Sequence, residues 1–582
     1  MLEWKDYGAP WPDVPYTNFG FWLDGIEEMW NERDAILHRT GKQIEFTRWT
    51  FRFFAAQCRR IARGLVKAGV KKGDRVALWA ENSPEWMAVW IGAVITGAII
   101  VPIDNLCTDK ECVNILEMTG VRAFFYSERK QPMVGSFLSR GLDISSVLSV
   151  CIDHDRFAAF GNDAGSEVIP PPETIAANDP ASIVFTSGTT GFAKGVTLGH
   201  RGIILNSSAA IRMLKAFPGD VFVTVLPLHH TYPTTCSFIS PLTAGASSVI
   251  VEKLVGKVVI DDCRDSRGTF LIAVPLLFDK LKDGIEAGFN KVPFPIRAIL
   301  DWLRRIALKK ANEGNFEFGQ KVFKFIRKKA GMETIRLTVA GGGALSSKTA
   351  DFFDSFGFNI VHGYGLSENG PLVCVNSPWF KRNVSVGLPV KYTEVKVIDP
   401  DSEGIGELAV KSPSIMLGYY KNPDATKEVI TPDGWLLSGD YGRIDSDGFV
   451  YISGRKKSLI VSSGGKNIYP EEIEGHFDGS RMVRQILVLG RDSDAGEQVV
   501  AIVVPDREFL SAEYPGKIPV EGDLDGDSKK FIRALIKKEV EDVNRTLPGY
   551  KKISDFLLRF EEFEMNAQHK IRRFLYKDYA AK

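Results

Sequence analysis

Helix-like and strand-like stretches alternate along the first two-thirds of the chain, and this alternation limits the folds open to it. A helical pattern over 50–68 is followed by strand-like runs at 75–79 and 123–126. Strands that alternate with helices favour layered α/β architectures over an all-helical or all-strand fold. The sequence therefore predicts an α/β fold whose large N-terminal body contains mixed sheets.

The pattern changes twice towards the C-terminus. First comes a strand-rich passage with Asp-Gly turns, at 395–398, 406–411 and 449–452. Beyond 454, strand-like runs and a charged helix make up about 125 residues, an ordinary domain size. We expect an N-terminal body with a strand-rich subdomain over 1–453, a hinge over 454–458 and a small, mobile α+β domain over 459–582.

Composition and charge exclude several classes of protein. The 582 residues are 44% hydrophobic and 25% charged, as in soluble proteins of several domains, and the net charge of +1 provides no overall field for nucleic acid. Seven scattered cysteines without CxxC spacing argue against a disulfide framework or a structural zinc site. The N-terminus lacks the pattern of a secretory signal. The prediction is a cytoplasmic protein without a nucleic-acid partner.

One uncharged run, 86–103, reaches the length of about 18 residues at which a membrane helix is considered. Gly97 and Pro102 interrupt it. We instead predict a helix that turns at Gly97 into a buried strand over 98–103.

The segment FTSGTTGFAKG, 185–195, follows an apolar strand-like run. Its glycines allow backbone N–H groups to approach an anion, its hydroxyls can donate, and Lys194 adds a positive charge. The order of lysine and hydroxyls differs from that of a Walker A loop, which disfavours a phosphotransferase that releases ADP. The segment fits either a phosphate-binding loop or a flexible surface loop.

Seven further motifs follow this loop: LPLHHTY, AGGGALS, HGYGLSENG, GELAVKSPSIMLGYYKNP, GWLLSGD, GRKKSLIVSSGGKNIYPEEIE and AQHKIRR. Together, in this order, they resemble those of the adenylate-forming (ANL) superfamily, which includes acyl-CoA synthetases, firefly luciferases and nonribosomal-peptide adenylation domains. The resemblance covers nearly the whole chain. It implies an acid–thiol ligase that uses ATP, Mg²⁺ and CoA, forms an acyl-adenylate and pyrophosphate, and then passes the acyl group to a thiol.

The resemblance also implies the roles of individual residues. The phosphate contacts fall on Thr186, Ser187, Gly188, Thr189, Thr190, Gly191 and Lys194. Those to adenosine fall on Gly341, Gly342, Gly343, Ala344, His362, Gly363, Tyr364 and Gly365. Glu368, with Ser367 beside it, corresponds to the Mg²⁺ position, and Asp440 and Arg455 to the ribose contacts. The alternative for Asp440 and Arg455 is a plain turn and salt bridge.

Four residues are expected to be catalytic: Lys570, Glu368, His230 and Lys194. His230 is implied to form a mobile wall between acid and thiol, or else is a packed side chain. Because His229 and His230 are adjacent, we expect that they cannot chelate one metal as an i, i+4 pair would. Lys457 is implied to be the hinge about which the C-terminal domain rotates between half-reactions.

The motif around Lys570 departs from the family. Glu564, Asn566 and His569 stand where proline, threonine and glycine are usual, although the lysine remains. An exposed lysine in a basic tail is the alternative. A dead, regulatory nucleotide-binding protein is disfavoured because Glu368, Asp440, Arg455 and Lys570 are all present.

The segment 275–331 bears on the substrate. Over 296–310 it predicts a basic amphipathic helix, which either packs on the body or contacts a membrane. This region resembles long-chain fatty acyl-CoA synthetases, so we expect a medium- or long-chain fatty acid. The alternatives are an aryl or alicyclic acid, or loading of a carrier protein. Peripheral membrane contact through 296–330, at the inner membrane face, and a homodimer are further expectations.

Overall fold

The computed structural model describes residues 15–41, 43–162, 164–165, 167–186, 194–461, 466–492, 497–519, 522–565, 571–576 and 579. It divides into two compact units. The first comprises the residues up to Val395 together with Val410–Leu437 and Asp445–Val450, and the second comprises Lys396–Ala409, Ser438–Ile444 and the chain from Tyr451 onwards. The predicted domain and hinge bounds stay predictions.

The strands up to the end of the nine-stranded sheet are β1 Asp34–His38, β2 Thr47–Thr50, β3 Arg75–Trp79, β4 Ile99–Pro102, β5 Ala123–Tyr126, β6 Leu148–Cys151, β7 Pro180–Thr186, β8 Lys194–Gly199, β9 Val221–Thr224, β10 Ser247–Ile250, β11 Phe270–Ala273, β12 Leu337–Ala340, β13 Ile360–Gly365, β14 Leu372–Val375 and β15 Leu388–Pro389. The later strands are β16 Glu394–Ile398, β17 Gly406–Lys411, β18 Gly418–Tyr419, β19 Leu436–Ile444, β20 Val450–Arg455, β21 Ile460–Val461, β22 Asn467–Ile468, β23 Val483–Arg491, β24 Gln498–Pro505 and β25 Asp555–Leu558.

The α-helices are α1 Phe19–Trp30, α2 Phe51–Lys67, α3 Pro84–Val94, α4 Asp109–Thr119, α5 Gln131–Gly135, α6 Asp155–Ala159, α7 His200–Leu214, α8 Thr231–Pro233, α9 Ser240–Thr243, α10 Gly256–Asp265, α11 Pro275–Asn290, α12 Phe294–Asn312, α13 Glu317–Val322, α14 Lys324–Lys329, α15 Ser347–Ser355, α16 Pro423–Val429, α17 Pro470–Gly475, α18 Arg507–Glu513 and α19 Gly526–Thr546. Short 3-10 turns add Ser367–Asn369 and Lys456–Ser458.

Two large sheets form the first unit. One has seven strands in the order β18-β8-β7-β4-β3-β5-β6, and the other has nine in the order β15-β14-β13-β12-β11-β9-β10-β1-β2. The strands in the middle of each sheet are mostly buried and pair parallel with one another, and they include the predicted strands 75–79 and 123–126, whereas β2, β8, β14, β15 and β18 pair antiparallel. The predicted mixed α/β fold is confirmed.

The long apolar run divides as the sequence predicts. It forms helix α3 and then the buried strand β4, and between them Gly97 takes a φ of +79°, a conformation that favours glycine. Ser83 caps α3 by accepting a hydrogen bond from the Trp86 N–H. Across the residues the structure describes, every helix falls short of the length and apolar character required to cross a bilayer.

The second unit contains most of the four-stranded sheet β16-β17-β19-β20, the pair β21-β22 and the three-stranded sheet β23-β24-β25. Helix α19 buries Ile532, Ile536 and Val540, spaced by one helical turn, in the same core as strand β24. The acidic segment DLDGDS, 523–528, leads into the first turn of α19. Asp525 accepts a hydrogen bond from the Ser528 N–H at 2.7 Å and so caps α19.

Helix α1 is held in the first unit partly by a buried histidine. The Phe19 N–H donates to Nδ1 of His200, the first residue of α7, at 3.4 Å. That bond requires an unprotonated Nδ1. Burial lowers the pKa of His200 from its ordinary 6.5 to about 4. The folded state therefore binds a proton at His200 less readily than the unfolded state does.

This predicts a pH-dependent stability. The contribution of His200 is constant above pH 6.5, and it destabilises the fold progressively as the pH falls towards 4, by about 2 kcal/mol at pH 5. His200→Asn keeps an acceptor near the Nδ1 position but cannot be protonated. We expect its melting temperature to fall less between pH 7 and pH 5 than that of the wild type. His154→Asn, at an exposed histidine, is the control, and parallel falls in wild type and His200→Asn would contradict the assignment.

Candidate active site

Strands β7 and β8 form a hairpin around the predicted phosphate loop. Thr186 and Lys194 are paired directly across the two strands, and the Thr186 hydroxyl donates to the Lys194 carbonyl at 3.4 Å. Ser187, Gly188, Thr189, Thr190 and Gly191 lie outside the described residues. Both ends of the loop are thus fixed by the sheet.

Lys194 lies over an aromatic ring that the sequence analysis did not single out. Its Nζ is 4.7 Å from the centroid of the Tyr419 ring, a cation–π distance. Tyr419 belongs to β18, which pairs with β8. The ammonium at the base of the loop is therefore held by the neighbouring strand.

The hydroxyl of Tyr419 in turn holds Glu368. It donates to Glu368 Oε1 at 2.8 Å, and burial together with this carboxylate raises the pKa of Tyr419. Glu368 sits in the 3-10 turn that follows β13, and its carbonyl accepts from the Met416 N–H at 2.8 Å. The carboxylate is fixed by one strong hydrogen bond at its side chain and by another at its backbone.

Ser367, beside Glu368, connects this turn to the segment 226–232, which contains His229 and His230. The Thr231 hydroxyl donates to the Ser367 hydroxyl at 3.3 Å. A carboxylate and a hydroxyl side by side are oxygen donors of the kind that Mg²⁺ prefers. The donor set at Glu368 and Ser367 therefore fits a hard divalent cation.

The glycine-rich segment 341–344 begins directly after β12, and the segment 362–365 is the end of the adjacent strand β13. The two strands run parallel, with Ala340 opposite His362. Parallel strands end at one edge of a sheet, where α/β folds usually bind ligands. The structure thus brings together two predicted segments that are separated by about twenty residues in the sequence.

Two glycines of these segments are required by close contacts. A Cβ at Gly341 would lie 2.7 Å from the Tyr232 ring, and one at Gly365 would lie 2.4 Å from the Pro371 carbonyl oxygen. Neither position has room for a side chain. The other predicted residues of the two segments are their sequence neighbours. Gly342, Gly343 and Ala344 follow Gly341, and Gly363 and Tyr364 precede Gly365.

His362 holds the glycine-rich segment in place. Its Nε2 lies 2.8 Å from the Gly343 carbonyl, and because a carbonyl can only accept, Nε2 carries the proton. Burial lowers the pKa of His362. It is therefore a neutral donor that positions the backbone.

The adjacent histidines converge instead of pointing apart. His229 Nε2 is 3.1 Å from His230 Nε2 and 3.3 Å from Asp104 Oδ1, and the three potential ligand atoms lie within 4.8 Å of one another. The expectation that adjacency keeps the two rings from one metal is therefore wrong. Adjacent residues that are not part of a helix can turn their rings to the same side.

Two members of this cluster, Asp104 and His230, have pKa values well below their ordinary ones. Burial opposes ionisation of Asp104, but the hydrogen bond from His229 lowers its pKa to about 2. Burial, and then the neighbouring His229, lower the pKa of His230 to about 3. His230 is thus a neutral imidazole at physiological pH.

Asn82 fixes the loop that carries the two histidines. Its side-chain amide donates to the Leu226 carbonyl and accepts from the Leu228 N–H, both at 2.8 Å.

The second unit holds the predicted pair Asp440 and Arg455. Arg455 Nε lies 3.3 Å from Asp440 Oδ1, and Asp440 is buried whereas Arg455 is more than half exposed. Lys456, the residue after Arg455, forms a second ion pair, in which its Nζ is 2.7 Å from Glu407 Oε2. Lys457 follows in the 3-10 turn, and Lys570 lies outside the described residues.

Sequence reasoning missed Tyr419, Asp104 and Tyr232. Tyr419 lies within the quoted motif 406–423 and Tyr232 within 226–232, so the motifs contained the signal although no residue type in them stood out. Asp104 directly follows the strand predicted over 98–103, a position with no catalytic signal of its own. Their partners are distant in the chain, and the fold brings them together.

The chain is similar to known proteins in sequence and in fold. The sequence model of the AMP-binding enzyme family matches residues 29–420. A long-chain-fatty-acid–CoA ligase of Gallus gallus is 28% identical, over 90% of this chain and 74% of its own. A long-chain-fatty-acid–[acyl-carrier-protein] ligase of Arabidopsis thaliana is 26% identical, over 92% and 80%.

A solved structure has the same fold. The crystal structure of an anthranilate CoA ligase in complex with anthranoyl-AMP superposes with a TM-score of 0.75, at 22% identity, and the match covers 98% of both chains.

The contact at Gly341 provides a test of the packing. Gly341→Ala should lower stability by about 1–3 kcal/mol because the new methyl group overlaps the Tyr232 ring. Gly343→Ala is the control, since its Cβ would meet Pro275 at an ordinary 3.7 Å. Thermal unfolding measures both. The cost of Gly341→Ala should shrink in a Tyr232→Ala background, and an unchanged cost would contradict the contact.

Proposed function

The chain belongs to the AMP-binding enzyme family, and from that premise we propose that it is an AMP-forming acyl-CoA synthetase for a medium- or long-chain fatty acid. Formation of an acyl-adenylate and ligation of the acyl group to a thiol are the chemistry of this adenylate-forming family. The observation that carries the proposal is the cluster of Lys194, Tyr419 and Glu368, which places a cation and a fixed carboxylate at the base of the glycine- and hydroxyl-rich loop. The fatty acid is favoured by the name of the Gallus gallus relative.

In the first half-reaction, a carboxylate oxygen of the acid attacks the α-phosphorus of ATP. The acyl–O–P bond forms while the bond from the α-phosphorus to pyrophosphate breaks. We propose that the loop 187–193, with Thr186 and Lys194 at its ends, binds the β- and γ-phosphates. The Lys194 ammonium then offsets charge that increases on the departing pyrophosphate.

Glu368 and Ser367 are the proposed holders of Mg²⁺, which when bound would neutralise phosphate charge. The part of this chain is to fix the donor oxygens. Tyr419 restrains the Glu368 carboxylate, and Thr231 restrains the Ser367 hydroxyl, so that little reorganisation is required during the reaction.

The nucleoside is assigned to the edge where β12 and β13 end. The backbone of 341–344 can approach a planar base closely because three of its four residues are glycine, and Tyr364 offers an aromatic face. Asp440 is proposed to accept from the ribose hydroxyls, with Arg455 as a second contact.

In the second half-reaction, the thiol of CoA attacks the acyl carbon, a thioester forms and AMP departs. His230, a neutral ring in its partly buried cluster, is proposed as the mobile wall between the acid and the thiol. A neutral ring adds no charge beside a reactive mixed anhydride. Lys570 is proposed to stabilise the adenylation transition state, and Lys457 to be the hinge between the two half-reactions.

A carrier protein is the second candidate for the thiol, because the Arabidopsis thaliana relative is named as an acyl-carrier-protein ligase. An aryl acid is the second candidate substrate, supported by the anthranilate CoA ligase structure. A homodimer and a cytoplasmic location stay predictions of the sequence.

A product assay distinguishes these possibilities. The protein is incubated with ATP, Mg²⁺ and either CoA or an acyl carrier protein, against fatty acids of graded length, benzoate and anthranilate. We expect AMP, pyrophosphate and an acyl-CoA, with the highest kcat/KM for a medium- or long-chain fatty acid. Release of ADP would refute the proposal, and preference for the carrier protein or for an aryl acid would establish the second candidate.

Tyr419→Phe tests the restraint on Glu368. Loss of a hydrogen bond to a charged group costs about 1.5–3 kcal/mol, so acyl-adenylate formation should slow roughly ten- to hundredfold. Tyr420→Phe is the matched control, since that hydroxyl makes a long, 3.5 Å contact to the Thr119 carbonyl. Acid-dependent pyrophosphate exchange measures the step. Equal rates in the two variants would show that the Glu368 contact is dispensable.

Lys570→Ala tests the proposed transition-state role. Loss of one preorganised charge should slow adenylate formation by about 10²- to 10³-fold. Supplied acyl-adenylate should still react with CoA at a near-normal rate in single-turnover experiments. Arg572→Ala, in the same basic tail, is the control. Normal adenylation by Lys570→Ala would mean that the departures at 564, 566 and 569 have moved this role to another residue.

Lys457→Pro tests the hinge. Proline holds φ near −65° and should block rotation about this position. We expect adenylate formation to continue while thioester formation falls, both followed by separate half-reaction assays. Equal loss of the two steps would argue against a hinge.

A further inference from the structure

Helix α12 is firmly attached to the first unit along one side. Ala307 and Ala311 are buried there, and Leu300 and Leu303 pack against the core. Arg304 lies over three aromatic rings, those of Phe289, Phe352 and Phe356, at 4.7–5.4 Å. Its Nε also donates to the Ser355 hydroxyl at 3.2 Å. These contacts fix which face of the helix points outwards.

The outward face exposes large apolar side chains. Phe294 is 73% exposed, Ile299 59% and Trp302 60%. On the same face, one and two turns after Trp302, lie the exposed residues Arg305 and Lys309. We call these five residues the outer face of α12. An apolar first half followed by a basic second half is typical of a helix that lies in a membrane interface.

Positive charge is concentrated in the part of the chain that contains this helix. Residues 291–330 contain eleven lysines and arginines against three acidic residues, a net charge of +8, whereas the whole chain carries +1. A protein with a net charge near zero is not attracted as a whole to an anionic surface. Any such attraction must come from a local cluster of positive charge.

We propose that the outer face of α12 docks on a lipid bilayer that contains anionic headgroups. Phe294, Ile299 and Trp302 would enter the boundary between headgroups and acyl chains, and Arg305 and Lys309 would contact the phosphates. A second copy of the chain is the less favourable occupant. Symmetric pairing would bring two basic faces together, and like charges repel.

The biological use of this surface rests on the proposed function. A long-chain fatty acid partitions into bilayers, so an enzyme that binds there meets its substrate at high local concentration. Docking itself can be measured without turnover, and its failure can therefore be told from failure of the proposed reaction.

The experiment uses the full chain and vesicles of phosphatidylcholine, with or without about a third of phosphatidylglycerol. We expect flotation with the anionic vesicles, weaker binding to phosphatidylcholine alone, and a marked loss of binding at high salt. Ile299→Glu/Trp302→Glu should weaken binding more than tenfold, and so should Arg305→Glu/Lys309→Glu. Leu138→Glu, at a leucine that is 72% exposed elsewhere in the first unit, is the matched control and should bind like the wild type.

The depth to which Trp302 enters the bilayer gives a second readout. Bromine-labelled acyl chains should quench tryptophan fluorescence of the wild type more than that of Trp302→Phe. The variants should keep the wild-type unfolding temperature, which shows that they fold.

The proposal would be overturned if anionic vesicles were not bound, or if the wild type and the two glutamate variants bound them equally. It would also be overturned if the outer-face variants abolished self-association while the wild type left vesicles unbound, because the occupant would then be a second copy.

Discussion

The hydrogen bond from Tyr419 to Glu368 joins the two large sheets at the point where the candidate site lies. Tyr419 is on β18, at the edge of the seven-stranded sheet, and Glu368 follows β13 of the nine-stranded sheet. Lys194, at the base of the phosphate loop, packs on the same tyrosine ring. One side chain therefore sets the relative positions of a cation from one sheet and a carboxylate from the other.

The surrounding contacts make this junction rigid. The Tyr420 N–H donates to the Gly195 carbonyl at 2.7 Å, and the Met416 N–H to the Glu368 carbonyl at 2.8 Å. Backbone and side chain thus hold the same elements together. A rigid arrangement of charges is what a reaction with a changing distribution of negative charge requires, since donors already in place need not reorganise.

Local sequence predicted much of the fold, because local patterns depend on burial and turn chemistry. The strands at 75–79, 123–126 and 406–411 match the observed bounds, and the break at Gly97 follows from a turn that favours glycine. The segments 341–344 and 362–368 are implied by the resemblance to the adenylate-forming superfamily and not by local patterns, and the parallel pairing of β12 and β13 explains why they lie side by side.

Long-range partners could not be predicted in the same way. Nothing local to Tyr419 reveals that its hydroxyl meets Glu368, fifty-one positions away, and Asp104 meets His229 across an even longer separation. The exposed outer face of α12 is a further example. The sequence shows an amphipathic helix, but the packing of Arg304 on three rings decides which side faces outwards.

The central claim is that the junction of Lys194, Tyr419 and Glu368 serves acyl-adenylate formation. The most direct measurement is acid-dependent exchange of labelled pyrophosphate into ATP, without any thiol, in the wild type and in Glu368→Gln. We expect exchange that requires a fatty acid and that falls by at least about a hundredfold in Glu368→Gln, with the unfolding temperature preserved. Exchange at the wild-type rate in Glu368→Gln, or exchange that proceeds without any acid, would contradict it.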